Sequence, residues 1–449
     1  MILFICIFIL LYGLIQYDKG HKGQGAFIYI FFLTEGFHFL SKDWCPVKYT
    51  DFATIYLAYA ALKNAFNGNT AFFKPQVKIY KVATIIGLYI TLEFVRTIIM
   101  SEEIISFALA NYRTYIPIFS FLLAQELKER DVIRLFKQIA FITILSTVLF
   151  DLQPILHVKF LQHASIDDVN ESGYIRYRNI PYLTYFFMIY SAICKDFNRW
   201  KTTTLILVFL IAIVLTQHRA VMMTYVFCIG IYLLMSSHGG KIFQYCIIGL
   251  FFLLLAGDAI FSRFKEIPPG RSTIEDIYTV FSTDYTALKA EDFVNEEGTL
   301  TFRVMLLMER VQYINQLDYF HFAFGLGTIH EDSPRTQRQF NFNIGSYRSS
   351  NNTIGQTSSG DLAWVNPLMR FGFLGIGLLL FLSWSIIVFF YKNRNISDIA
   401  MSAFLFYLFL ILNSFKNDHL YGSMQLFFIY LLISSIRYSN LKTENNSST

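Results

Sequence analysis

Apolar residues gather into long unbroken runs along this chain, and polar residues are mostly confined to the short connections between them. A helix needs roughly 17 to 25 apolar residues to cross about 30 Å of hydrocarbon. About thirteen runs are candidates, near residues 1–16, 25–40, 51–66, 82–98, 104–124, 132–150, 180–194, 202–217, 219–235, 242–260, 362–390, 397–415 and 421–437. The ten-residue alternation of a membrane barrel is missing, and lipid gives backbone amides no partner outside a helix or closed barrel. The pattern therefore predicts an all-α, polytopic transmembrane bundle of about 11 to 14 helices. Residues 1–260 hold about ten of them, 261–361 form one large extracytoplasmic loop, 362–437 hold the C-terminal helices, and 438–449 are a cytoplasmic tail.

Composition agrees: with 54% hydrophobic and only 15% charged residues, one water-soluble core could not hide the apolar surface. Lysine and arginine bias sets the orientation. Cations cluster in alternate connections (Lys19 and Lys22; Lys63, Lys74, Lys78 and Lys81; Lys128, Arg130, Arg134 and Lys137; Lys195, Arg199 and Lys201; Lys392 and Arg394). These are the predicted cytoplasmic loops, which leaves the N-terminus and residues 261–361 outside. The first run, "MILFICIFILLYGLIQY", lacks both a basic start and a small-residue cleavage site, so it reads as a retained helix.

The large loop must carry most of the chemistry done in water. Within it Leu300, Val304, Leu307, Val311 and Ile314 recur at helical spacing, predicting an amphipathic helix over 299–317 that lies on the membrane face. "FGLGTIHED" follows, and then "NIGSYRSSNNTIGQTSSGD", whose composition reads as mobile loop. The connection at 151–179 is the other outer segment with room for chemistry. Cys6, Cys194, Cys228 and Cys246 lie in apolar runs and only Cys45 reaches an outer loop, so neither a disulfide framework nor metal-ligand spacing is expected. No Gly-rich phosphate loop is present, which argues against ATP-driven chemistry. Glu93 and Arg113 fall in adjacent apolar runs at comparable depth and are expected to pair, while Pro117 should bend its helix.

Arginine supplies the candidate chemistry. Arg219, in "LTQHRAVMM", sits in a hairpin of a few residues at the predicted outer face; alone it could simply snorkel to lipid phosphates. Arg176, Arg178 and Arg303 fall on the same outer side. Guanidiniums entering one cavity at that level would grip a diphosphate, because the planar fork binds phosphate oxygens bidentately and stays charged. A lipid-linked diphosphate presented at the outer leaflet is the substrate class this suggests.

Three motifs stand in a fixed order. A helix ends in "TQHRAV" and the next begins at once; Arg303 precedes the turn "FGLG" at 324–327; and "SSGDLAWVNPLMRFGFLGIG" opens the next helix. This layout resembles the O-antigen ligase and polysaccharide polymerase superfamily, the Wzy and WaaL type of bacterial envelope glycosyltransferase, over roughly residues 130–390. Here His218 and Ala220 replace the small residues that flank the family's arginine, and Asp361 stands where its ligases carry a histidine, ahead of Gly372 and Gly375. That departure favours a polymerase or exopolysaccharide branch over a ligase acting on a lipid A core.

The resemblance implies a bacterial inner-membrane enzyme whose site faces outward. The donor would be a glycan on undecaprenyl diphosphate, and a hydroxyl of another lipid-linked repeat would attack its anomeric carbon with inversion. Membrane lipids are expected partners, a chain-length regulator would be a further one, and nucleic acid is not expected. Arg176, Arg178, Arg219 and Arg303 would bind diphosphate, with Arg219 and Arg303 also stabilising its developing charge, so neither cofactor nor metal is called for. The acceptor hydroxyl needs a base, for which Asp361 is the first candidate and His330 the second. Asp361 reads equally as an N-cap for a helix starting at Leu362, and His330 as a plain loop histidine. A lipid-linked oligosaccharide flippase and a non-catalytic envelope scaffold are the rival classes, although no internal repeat of the transporter kind is visible. Because no histidine or carboxylate cluster with ligand spacing falls on the outer side, turnover of a lipid-diphosphate glycan is expected to persist in EDTA; abolition that magnesium or manganese reverses would defeat the arginine-only account.

Overall fold

The computed structural model describes residues 2–100, 103–163, 165–169, 175–216, 218–235, 282, 300–345, 347–348, 353–357, 362–416 and 419–447. At 165–169, 175–176, 178, 219, 300, 347–348, 353, 419, 423 and 442–447 only the backbone is described. The chain runs through α1 (Ile2–Asp18), α2 (Lys22–Leu33), α3 (Tyr49–Phe66), α4 (Thr70–Phe73), α5 (Lys78–Met100), α6 (Ile105–Tyr112), α7 (Phe121–Glu126) and α8 (Glu129–Leu156). A hairpin of β1 (Ser165–Val169) and β2 (Ile175–Arg178) leads to α9 (Thr184–Ile193), α10 (Arg199–Thr216) and α11 (Arg219–Met235). Then come α12 (Leu300–Gln316), α13 (Tyr319–Phe324), α14 (Pro334–Gln339), a second hairpin of β3 (Tyr347–Arg348) and β4 (Thr353–Ile354), α15 (Val365–Asn393), α16 (Asp398–Asn413) and α17 (Ser423–Ser447).

Four of these helices, α5, α8, α10 and α15, are long and apolar enough to cross a membrane. Several shorter apolar helices pack among them. The run predicted at 242–260 lies outside the described residues. The two antiparallel hairpins qualify the all-α expectation: both fall in polar connections between helices, where backbone groups can pair without helix.

One helix sits at the centre. From Phe427 to Ile433 every side chain of α17 is completely buried, so the helix is enclosed on all faces rather than along one stripe. It packs on α2, α7, α8 and α16 and on the irregular stretch before α7.

That stretch corrects the single helix expected over 104–124. α6 stops at Tyr112, a 3-10 turn spans Ile116–Ser120, and α7 follows. Pro117 has no N–H to continue an α-helical ladder, which accounts for the tighter turn. Broken backbone at membrane depth must find partners inside the protein. The central helix supplies them: Tyr430 Oη donates to Ile118 O (3.2 Å), Ser434 Oγ to Ala124 O (3.1 Å) and Tyr438 Oη to Leu127 O (2.7 Å). The break also separates the pair expected between Glu93 and Arg113. Arg113 turns to Asp51 of α3 at 2.9 Å, and Glu93 pairs one turn along its own helix with Arg96.

A second break falls in α15. Gly372 has φ 61° and ψ −164°, a region essentially reserved for glycine. Gly325, just past α13, has nearly the same angles, φ 69° and ψ −164°. The two glycines face each other so closely that a Cβ on Gly325 would lie 2.5 Å from Gly372 N, and one on Gly372 would lie 2.5 Å from Gly325 N. Gly377, on an outward face of the same helix, has open space where a Cβ would go.

Gly325→Ala and Gly372→Ala are each expected to lower stability by at least the roughly 1 to 3 kcal/mol of such backbone strain, with the backbone clash added. Gly377→Ala should be neutral or stabilising by up to about 1 kcal/mol. Thermal unfolding of detergent-purified protein checks this, and equal destabilisation by all three would contradict it.

Candidate functional site

The loop after α13 is fastened to the broken helix by backbone. Leu326 N–H donates to Met369 O and Gly327 N–H to Arg370 O, both at 2.9 Å, and Tyr89 Oη of α5 donates to Phe371 O at 2.8 Å. These are three consecutive carbonyls of α15 at the Gly372 break. From the other side, Arg96 Nη2 donates to Phe324 O (3.2 Å) and Gly325 O (3.0 Å). Thr328 N–H donates to Thr97 Oγ1 (2.8 Å), and Asn111 Nδ2 of α6 donates to Ile329 O. Ser333 Oγ donates to Glu103 at 3.1 Å. Burial raises the Glu103 carboxyl above its ordinary pKa, and the Ser333 hydrogen bond opposes that shift.

His330 therefore stands on a loop pinned on both sides. Its ring lies beside Phe107, with centroids 5.3 Å apart, and is half-buried. Burial lowers its pKa; the charges of Arg370 and Lys48 push the same way, and Asp332 pushes back. The neutral imidazole is thus the form present at pH 7. Its Nδ1 accepts the Asp332 backbone N–H at 3.1 Å, which places the ring proton on Nε2. His330 consequently presents a donor, a geometry better suited to a phosphate oxygen than to taking a proton from a hydroxyl.

Arg370 is a candidate that the motifs of the sequence did not single out. It is only 7% exposed; its Nη1 donates to Tyr115 Oη at 2.9 Å, and the guanidinium lies over the Tyr115 ring at 5.9 Å. Among the described residues its buried Nε has no hydrogen-bond partner and no carboxylate pairs with it. Buried cations are normally paired, so this one is set up for an anion. The signal was in plain view: a lone cation inside the apolar run "NPLMRFGFLG".

The other candidates fare unevenly. Arg303 lies in the first turn of α12 and is half-buried, two helical turns before Arg310. The side chains of Arg176, Arg178 and Arg219 lie outside what is described; their backbones place them on β2 and at the start of α11. Asp361 lies wholly outside the described residues. Its alternative role as a helix cap is corrected, because α15 begins at Val365 with Trp364 in the capping position.

Two expectations for the large loop change. The predicted stripe on α12 is rotated: Phe302, Met305, Leu306, Arg310 and Ile314 are buried, whereas Val304, Leu307 and Val311 are only partly covered. The helix packs on α15, and that contact rather than the longest apolar spacing selects its inner face. The described part of the segment expected to be mobile, residues 343–345, 347–348 and 353–357, includes the β3–β4 hairpin and is bonded to α12 and to Glu331. Glu309 accepts from Asn343 N–H (2.8 Å) and Ile344 N–H (3.2 Å), while Arg310 donates to the carbonyls of Gly355 (3.3 Å) and Gln356 (3.2 Å). Glu331 takes the N–H groups of Gln356 and Thr357, each at 2.6 Å. The backbone of the described residues is thus held by charged side chains from outside the segment.

Arg310 is 1% exposed, pairs with Glu309 and lies 4.2 Å over the Phe342 ring. Burial lowers its pKa to about 10, so it stays charged at neutral pH. No protein-family model matches the chain, and no curated protein matches it.

Arg310→Ala is expected to cost about 3 to 5 kcal/mol and to expose the 340–357 segment to proteolysis. Limited proteolysis with thermal unfolding tests this; an unchanged digestion pattern would remove Arg310 as the staple.

Proposed function

We propose that the protein is a bacterial inner-membrane glycosyltransferase, an O-antigen or exopolysaccharide polymerase, acting on undecaprenyl-diphosphate-linked glycan at the outer face. The observation that carries the proposal is Arg370, a buried guanidinium without a carboxylate, next to a loop that holds His330 as a donor. Four long apolar helices support a membrane-bound substrate.

In this reading a hydroxyl of the acceptor repeat attacks the anomeric carbon of the donor glycan. A new carbon–oxygen bond forms as the bond to the diphosphate breaks, inverting the centre. Arg370, with Lys48 and the Nε2–H of His330, neutralises the leaving diphosphate, and Arg176, Arg178, Arg219 and Arg303 complete its binding. Preorganised donors of this kind are worth most where charge develops in a water-poor site. The hydroxyl proton passes to Asp361. His330, whose Nδ1 already accepts a hydrogen bond, acts on the phosphate side rather than as the base.

The test is reconstituted protein with a synthetic lipid-diphosphate glycan, scored for oligomers. Arg370→Lys keeps the charge but loses the planar fork, and its rate is expected to fall by about 10² to 10³ at unchanged protein level. His330→Gln, which keeps an N–H donor, should retain more activity than His330→Ala. Because the His330 pKa is lowered, wild-type rate should stay flat from pH 8 down to about 6.5. A loss of activity in His330→Gln as complete as in His330→Ala would make His330 the base; near-normal oligomer formation by Arg370→Lys would move the diphosphate elsewhere.

A further inference from the structure

The start of α8 lies at the end of the bundle away from His330. Glu126, just before it, binds Lys22 and Tyr17 at the α1–α2 turn, whereas Arg96, sixteen residues beyond Tyr80 on α5, reaches the His330 loop. On one face of α8, Arg130, Ile133, Arg134, Lys137 and Phe141 are all exposed, at positions that repeat with the helix period. The opposite face, with Val132, Leu135, Phe136 and Ile139, is buried in the bundle. Glu129 and Gln138 flank this open face, and Glu129 is the one acidic residue on it.

Pairing separates this face from its surroundings. Lys22 has Glu126 at 3.3 Å and Lys63 is paired with Asp18, while Asp131 lies against Gly23 of α2. Among the described residues no carboxylate pairs with Arg130, Arg134 or Lys137. The three cations span about 10 Å along the helix, and Phe141 and Leu145 continue the same face for two further turns of the apolar segment. Phe141 is 68% exposed. A cationic end grading into an exposed apolar strip on a helix long and apolar enough to cross a membrane matches one kind of molecule.

We propose that this face of α8 is a binding site for a single anionic diacyl phospholipid of the adjacent leaflet. The phosphate would meet Arg130, Arg134 and Lys137, and an acyl chain would lie along Phe141 and Leu145. The two arginines can each present a fork to phosphate oxygens, which a zwitterionic lipid satisfies only against its own ammonium group. The site stands apart from the glycosyltransferase reading and needs only that α8 crosses the membrane.

The experiment measures native mass spectra and thermal unfolding of detergent-purified protein with phosphatidylglycerol, phosphatidylcholine or soluble glycerol phosphate. One phosphatidylglycerol is expected to be retained and to raise the melting temperature, with no comparable effect from the other two. The R130Q/R134Q/K137Q variant should lose that retention at least tenfold. K74Q/K78Q, which removes exposed cations from the same end, should not, and both variants should melt like wild type without lipid. Equal retention of phosphatidylcholine, an equal effect of glycerol phosphate, or an equal loss in K74Q/K78Q would overturn the site.

Discussion

A helix that breaks within a membrane releases carbonyls that lipid cannot satisfy, and the arrangement of this protein follows from where those carbonyls find donors. At the Gly372 break, three successive carbonyls take the amides of Leu326 and Gly327 and the Tyr89 hydroxyl. At the Pro117 break the hydroxyl of Tyr430 does the same service, and those of Ser434 and Tyr438 satisfy carbonyls at the end of α7 that follows it. The donors differ in kind. The first break is closed by a loop together with Tyr89 of α5 and the second by a helix alone, so the first couples the segment around His330 to the bundle and the second only completes the bundle's interior.

That difference explains why the candidate site forms where it does. Arg370 gives its carbonyl to the loop and turns its guanidinium towards Tyr115, so one residue both anchors the loop and supplies charge next to it. His330 is held by contacts on either side, which fixes its tautomer through the Asp332 amide. Farther out, Arg310, Glu309 and Glu331 bind the remaining loop through its backbone. Cations in this end of the molecule thus divide by partner: Arg96, Arg113 and Arg310 have carboxylates, and Arg370 has a phenol.

Much of the helix layout was legible because apolar run length is a strong signal, and α1, α3, α5, α10 and α15 begin and end near the predicted positions. The 104–124 run misled because hydropathy reports depth and not hydrogen bonding; Pro117 hinted at a bend, but the donors that permit a full break come from residues more than three hundred positions away. Glu93 and Arg113 were matched by depth when reach and direction decided their partners. In the 343–361 loop, Asn, Ser and Gly suggested mobility, yet its described backbone is bonded by Glu309, Arg310 and Glu331, whose partners no local pattern reveals. Arg370 was visible as a charge in an apolar run, inside the same motif that drew attention to Asp361 and Gly372.

The position of α17 bears on how the molecule comes to exist. It is enclosed by helices that all precede it in the chain, so it leaves the ribosome after every described partner that it holds together. Until it arrives, the carbonyls of Ile118, Ala124 and Leu127 lack the hydroxyls that satisfy them in the finished bundle. The earlier helices therefore reach their full hydrogen bonding only once this last of the described helices is in place.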